Sequence, residues 1–134
     1  MNTFIPWTVD QNCMVSGVDL HDGHLCGITR IKDGAIVFAV ESLNNVPLSI
    51  LLSNVGVMNV MNLWGGDIIS DVSLFPIAKA PSHLLRCLFH DRITDDKKIA
   101  DAVAKDGREY LFALECSYGA DIYVTCNQMQ IVST

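Results

Sequence analysis

The stretch Asp22-Gly23-His24-Leu25-Cys26-Gly27-Ile28-Thr29-Arg30-Ile31-Lys32-Asp33-Gly34-Ala35-Ile36-Val37-Phe38-Ala39-Val40-Glu41-Ser42-Leu43-Asn44-Asn45 decides the fold. Turn-forming pairs stand at Asp22-Gly23, Asp33-Gly34 and Asn44-Asn45, about eleven residues apart. Asp, Asn and Gly accept the positive φ of tight hairpin turns, whose twist matches that of the strands they join. The segments between them, His24–Lys32 and Ala35–Leu43, are rich in β-branched and aliphatic residues and read as strands. Ala35-Ile36-Val37-Phe38-Ala39-Val40 is apolar at every position, which predicts a strand covered on both faces.

The ladder extends in both directions. An Asn54/Gly56 cluster and Gly65-Gly66 continue it, adding strands at Cys13–His21, Val46–Ser53, Val57–Trp64 and Asp67–Pro76. Residues 13–76 are therefore expected to form an antiparallel six-strand meander. Further on, Thr94 reads as an N-cap, Asp95 and Asp96 complement the first turn of a helix, and Gly107 follows Lys105 as its terminator, giving a helix over 95–106. Ile99, Ala102 and Val103 form its apolar side. Residues 81–89 fit a shorter helix capped by Ser82 or, alternatively, a strand. A final hairpin pairs Tyr110–Tyr118 with Ile122–Asn127 around Gly119-Ala120. The expected fold is α+β, mainly β: about eight antiparallel strands in a curved sheet or partial barrel, with one or two helices before the closing hairpin, in a single domain over 1–134.

Half the residues are hydrophobic, enough for one sizeable core, and 15 acidic against 9 basic residues give a net charge of −6. That field repels nucleic acid and favours a basic protein as partner. Five cysteines at irregular spacings, without a CxxC pair, suggest reduced thiols, and Met1–Trp7 lack the pattern of a targeting peptide, so the expected compartment is the cytoplasm. Cys116 and Cys126, on adjacent predicted strands, would be the pair to join if the protein were exported. The uncharged run Ser42–Gly66 is broken by Asn, Pro and Gly and is no spanning helix, so no membrane association is expected.

No constellation rises to a catalytic signature, and the expectation is a protein that is not an enzyme and carries no cofactor. His21 and His24 flank Asp22-Gly23 and would face one another across a two-residue hairpin, within reach of one metal ion, but no third ligand can be named. His83, Cys87 and His90 would share one side of a helix, without the orienting third group that a Cys–His nucleophile needs. No metal site is assigned. The carboxylates Asp95-Asp96 are explained by the helix start, and Gly65-Gly66 lacks the Lys of a phosphate loop.

Leu20-His21-Asp22-Gly23-His24-Leu25-Cys26-Gly27-Ile28 together with Gly66-Asp67-Ile68-Ile69-Ser70-Asp71-Val72 resembles a group of small bacterial β-rich proteins. Among these are immunity proteins of contact-dependent growth inhibition and related toxin systems. The resemblance covers roughly residues 20–76. It implies a protein that binds and blocks one cognate toxin, and it brings no catalytic residue with it. Ten of the fifteen acidic residues follow Gly66. Of these, Asp91, Asp95, Asp96, Asp101, Asp106, Glu109 and Asp121 are the candidate contacts for a basic toxin, interrupted by Lys97, Lys98 and Lys105. The alternative is a small-molecule carrier using the interior of the curved sheet.

Overall fold

The described steps of the turn ladder hold backbone positions that a β-branched residue would resist. Asp22, Asp33, Asn45, Asn54 and Asn62 all have φ between 54° and 67°, and Gly34 follows Asp33 at 73°. The computed structural model describes residues 3–63, 67–90 and 92–133. Within them the strands are β1 (Thr3–Phe4), β2 (Thr8–Val9), β3 (Val15–Ser16), β4 (His24–Ile31), β5 (Ala35–Glu41), β6 (Pro47–Ser53), β7 (Met58–Met61), β8 (Ile69–Pro76), β9 (Tyr110–Cys116), β10 (Asp121–Cys126) and β11 (Gln128–Ser133). Helices α1 (Ser82–Leu88) and α2 (Asp96–Asp106) lie between β8 and β9. The fold is mainly β and antiparallel, with two helices before the closing hairpin. Trp64, Gly65 and Gly66, the last step of the expected ladder, lie outside the described residues.

Two sheets share the work. The first has the order β1-β11-β6-β5-β4, the second β7-β10-β9-β8, and β2 pairs with β3 alone. The meander is continuous only from β4 to β6. The edge of β6 that β7 would occupy is taken by β11, with Ile131 opposite Ile50, while β7 and β8 join β10 and β9. The physical cause is the corner at Asn54–Val57. There the Val55 amide donates to the Gly34 carbonyl and the Gly56 amide to that of Thr125, so the chain passes from one sheet to the other instead of reversing. A β-carbon on Gly56 would overlap the side chains of Asp106 and Thr125. Strand β11 continues β10 past Asn127 in the same way, its amide donating to the Ser53 carbonyl. The segment expected as a first strand, Cys13–His21, contributes only β3 and a single bridge from Met14 to Ser73.

The sheets pack face to face. Phe38 of β5 stacks on Phe112 of β9, ring centroids 5.4 Å apart and planes 16° from parallel, among fully buried Ile50, Leu52, Ile122 and Val124. The opposite corner is tied where His24 bridges Ile68 and the Leu25 amide donates to the Asp67 carbonyl. The arrangement is a partial barrel that does not close, and its interior is occupied by these side chains.

Burial on both faces falls on β9 and β10 rather than β5. Leu111, Phe112, Ala113 and Leu114 are all buried, because Leu84 and Leu88 of α1 pack on Leu111, Ala113 and Tyr123 behind the sheet. In β5 burial alternates: Ile36, Phe38 and Val40 point into the core, and Ala35, Val37 and Ala39 point away from it. The segment after Pro81 is a helix, but Ser82 makes no capping bond; the Pro81 carbonyl accepts from Leu84 and Leu85 instead. Helix α2 starts one residue later than expected. Asp95, not Thr94, is the N-cap, its carboxylate accepting from the Lys97 amide at 2.9 Å.

Candidate protein-binding surface

The exposed side of the second sheet beyond α1 carries the charge. Glu115 on β9 lies directly opposite Asp71 on β8 and Asp121 on β10, so three carboxylates stand in one row across adjacent strands. Directly opposed residues place their β-carbons about 5 Å apart, and like charges at that spacing repel. A bulge creates the alignment. Ser70 is the extra residue between Ile69, opposite Cys116, and Asp71, opposite Glu115; without it Asp71 would fall out of the row. The same bulge turns the Ser70 carbonyl toward His21, whose Nδ1 donates to it at 2.7 Å.

None of the three carboxylates has an ion pair among the described residues; the bridges there join His21 to Asp22, Arg86 to Asp96 and Arg108 to Asp106. Glu115 accepts a hydrogen bond from the Tyr123 hydroxyl at 2.9 Å. Burial, and then that bond, raises the Tyr123 phenol well above its ordinary range. Burial, and then Asp67 and Asp121, pushes the Cys116 thiol up to about 11. The Ser70 bond, followed by the Asp22 charge, raises His21, with Asp71 and Asp19 adding to it.

Apolar side chains edge the row. Met61 on β7 stands opposite Asp121, and Tyr118, 84% exposed, sits at the tip of the β9–β10 turn. That turn is braced from below. Asp67, buried, accepts the Ala120 amide at 2.9 Å, and its carboxylate occupies the place a β-carbon on Gly119 would need.

The acidic residues singled out in the sequence do not form one surface. Asp121 belongs to the row. Asp95 caps α2, Asp96 pairs with Arg86 at 3.1 Å, and Asp101 is exposed further along the same helix. Asp106 is half-buried, its side chain 10% exposed, and one of its oxygens has no partner among the described residues. Exposed Glu109 donates its amide to Asn127 at 3.0 Å, near the end of β10 far from Asp121. Asp91 lies outside the described residues. Neither Asp71 nor Glu115 is among the candidate contacts drawn from the sequence, and the place of Asp71 depends on the bulge.

The other candidates separate. The turn at Asp22 is closed by the Gly23 amide on the Leu20 carbonyl, so His21 and His24 do not face each other: His21 turns to Ser70, and His24 pairs with Glu41 and Ile68. His83 and Cys87 lie in α1, while His90 is beyond its end at φ 54°. Among the described residues no group of three or more His, Cys, Asp or Glu is placed to hold a metal ion. No disulfide joins the described cysteines, and Cys116 and Cys126 lie at opposite ends of the β9–β10 ladder, opposite Ile69 and Tyr110, too far apart to join. An apolar surface cleft of about 400 Å³ opens beside Trp7, Leu74, Tyr110 and Met129, outside the interior that a carrier would use, which side chains fill. No helix among the described residues is long and apolar enough to cross a membrane. No protein-family model, curated protein or solved structure matches this chain.

Proposed function

We propose that this chain is a non-catalytic protein-binding domain of the toxin-immunity kind, acting in the cytoplasm by docking a basic toxin on the face that carries Asp71, Glu115 and Asp121. The observation that carries this reading is the row itself: three carboxylates held side by side, none of them in an ion pair among the described residues. A basic partner removes the repulsion and gains complementary charge where a nuclease would otherwise bind phosphates. Tyr118 and Met61 offer the aromatic and apolar anchors that typically dominate binding energy at such centres. The resemblance of residues 20–76 to immunity proteins agrees with this and adds no contact residue.

The test is calorimetric titration with purified toxin domains encoded beside this chain's gene. One of them is expected to bind 1:1, and the double change Asp71→Lys and Asp121→Lys to weaken it at least ~10-fold, the scale of one or two lost charge contacts. Equal binding by the double variant, or no binding by any such domain, would refute the proposal.

A further inference from the structure

The outer face of the first sheet is an unanswered part of the sequence. Val37 and Ala39 come from a segment apolar at every position, yet no element among the described residues covers them: α1 lies on the other sheet. Across the strands, Thr29, Val37, Leu51 and Gln130 stand in one row. The next outward-facing row is Gly27, Ala39, Ser49 and Val132, extended by Phe4 at the edge, 65% exposed. Neither row holds a charge, in a chain of net charge −6. Glu41 and His24 reach this face only at its rim.

We infer that this face is an interface between two copies of the chain, packed sheet against sheet. Its chemistry restricts the occupant. A basic partner gains nothing from an uncharged surface, and the carboxylate row that attracts one lies on the other sheet. Two molecules of the same acidic protein approach at least electrostatic cost through a face whose central rows carry no carboxylate, and this face, with Glu41 only at its rim, offers that on both copies at once. A two-fold axis near Val37 and Leu51 sets like residues against each other, and sheets stack at about 10 Å with their strands nearly aligned.

Area sets the strength. Four strands at about 4.8 Å spacing and seven residues at about 3.3 Å rise give a footprint of roughly 20 by 23 Å. Two copies bury on the order of 900 Å² in projection, just below the roughly 1,000 Å² of a persistent interface, so the dimer is weak and reversible.

Sedimentation equilibrium on the purified chain is expected to show a monomer–dimer equilibrium with a dissociation constant on the order of 10–100 μM. The double change Val37→Arg and Leu51→Arg should weaken association at least ~10-fold. Circular dichroism checks its fold, and concentration-dependent methyl shifts of Val37 and Leu51 in the unaltered protein provide a readout that needs no variant. A monomer at all concentrations, a dimer that survives the double change, or methyl shifts that do not move with concentration would each overturn the inference.

Discussion

At the residue scale, the carboxylate row makes a demand that opposes stability. Asp121 sits opposite Glu115, and like charges in that relation cost about 0.2–1 kcal/mol. Asp121→Asn is therefore expected to raise the free protein's stability by that amount while weakening partner binding, read by chemical denaturation and titration of the same variant. Gly119 makes the opposite case. A methyl group there displaces the Asp67 carboxylate from the Ala120 amide, and Gly119→Ala is expected to lower stability by about 1–3 kcal/mol. Neither effect is legible in the sequence. Asp71, Glu115 and Asp121 come together through three strands and a bulge at Ser70, and nothing local to any of them announces the others.

At the element scale, what was legible is what local backbone geometry decides. Asp22, Asp33, Asn45 and Asn54 mark turns because few other residues tolerate their φ, and Gly107 ends α2 for a similarly local reason, while the N-cap is Asp95 instead of the expected Thr94. Partner choice between strands was not legible: β6 takes β11 instead of β7 because of a corner whose hydrogen bonds come from Gly34 and Thr125, distant in sequence. Strand β11 itself was readable and missed. Met129 and Ile131 alternate with Gln128 and Gln130, and only the first two are buried. The hairpin β9–β10 also carries a pH dependence. Burial raises the thiols of Cys116 and Cys126 from 9.0 to about 11 and about 12, and the Tyr123 phenol rises too. Above pH 9 the unfolded chain loses these protons first, so the native state binds more protons and stability falls as pH rises toward about 12. Denaturation midpoints are expected to be level between pH ~7 and ~8 and lower at pH ~10.5. An unchanged midpoint at the higher pH contradicts that assignment.

At the scale of the whole molecule, the two larger sheets present outer faces that differ in charge. Their common core centres on the Phe38–Phe112 stack, and Phe112→Ala is expected to cost about 3–5 kcal/mol in thermal or chemical unfolding, because both flanking layers are already filled. The outer side of the second sheet, with α1 covering part of it, presents the carboxylate row; the outer side of the first is neutral. Binding of a basic toxin through that row is the central claim, and charge makes its most direct signature kinetic. The measurement is the association rate with the toxin domain, by stopped flow, across a range of salt. With the unaltered protein the rate is predicted to rise steeply toward about 10⁸ M⁻¹s⁻¹ at low salt, and with Asp71→Lys and Asp121→Lys to fall toward the unsteered 10⁵–10⁶ M⁻¹s⁻¹ and lose most of its salt dependence. A rate and salt dependence left the same by the double change would contradict the account.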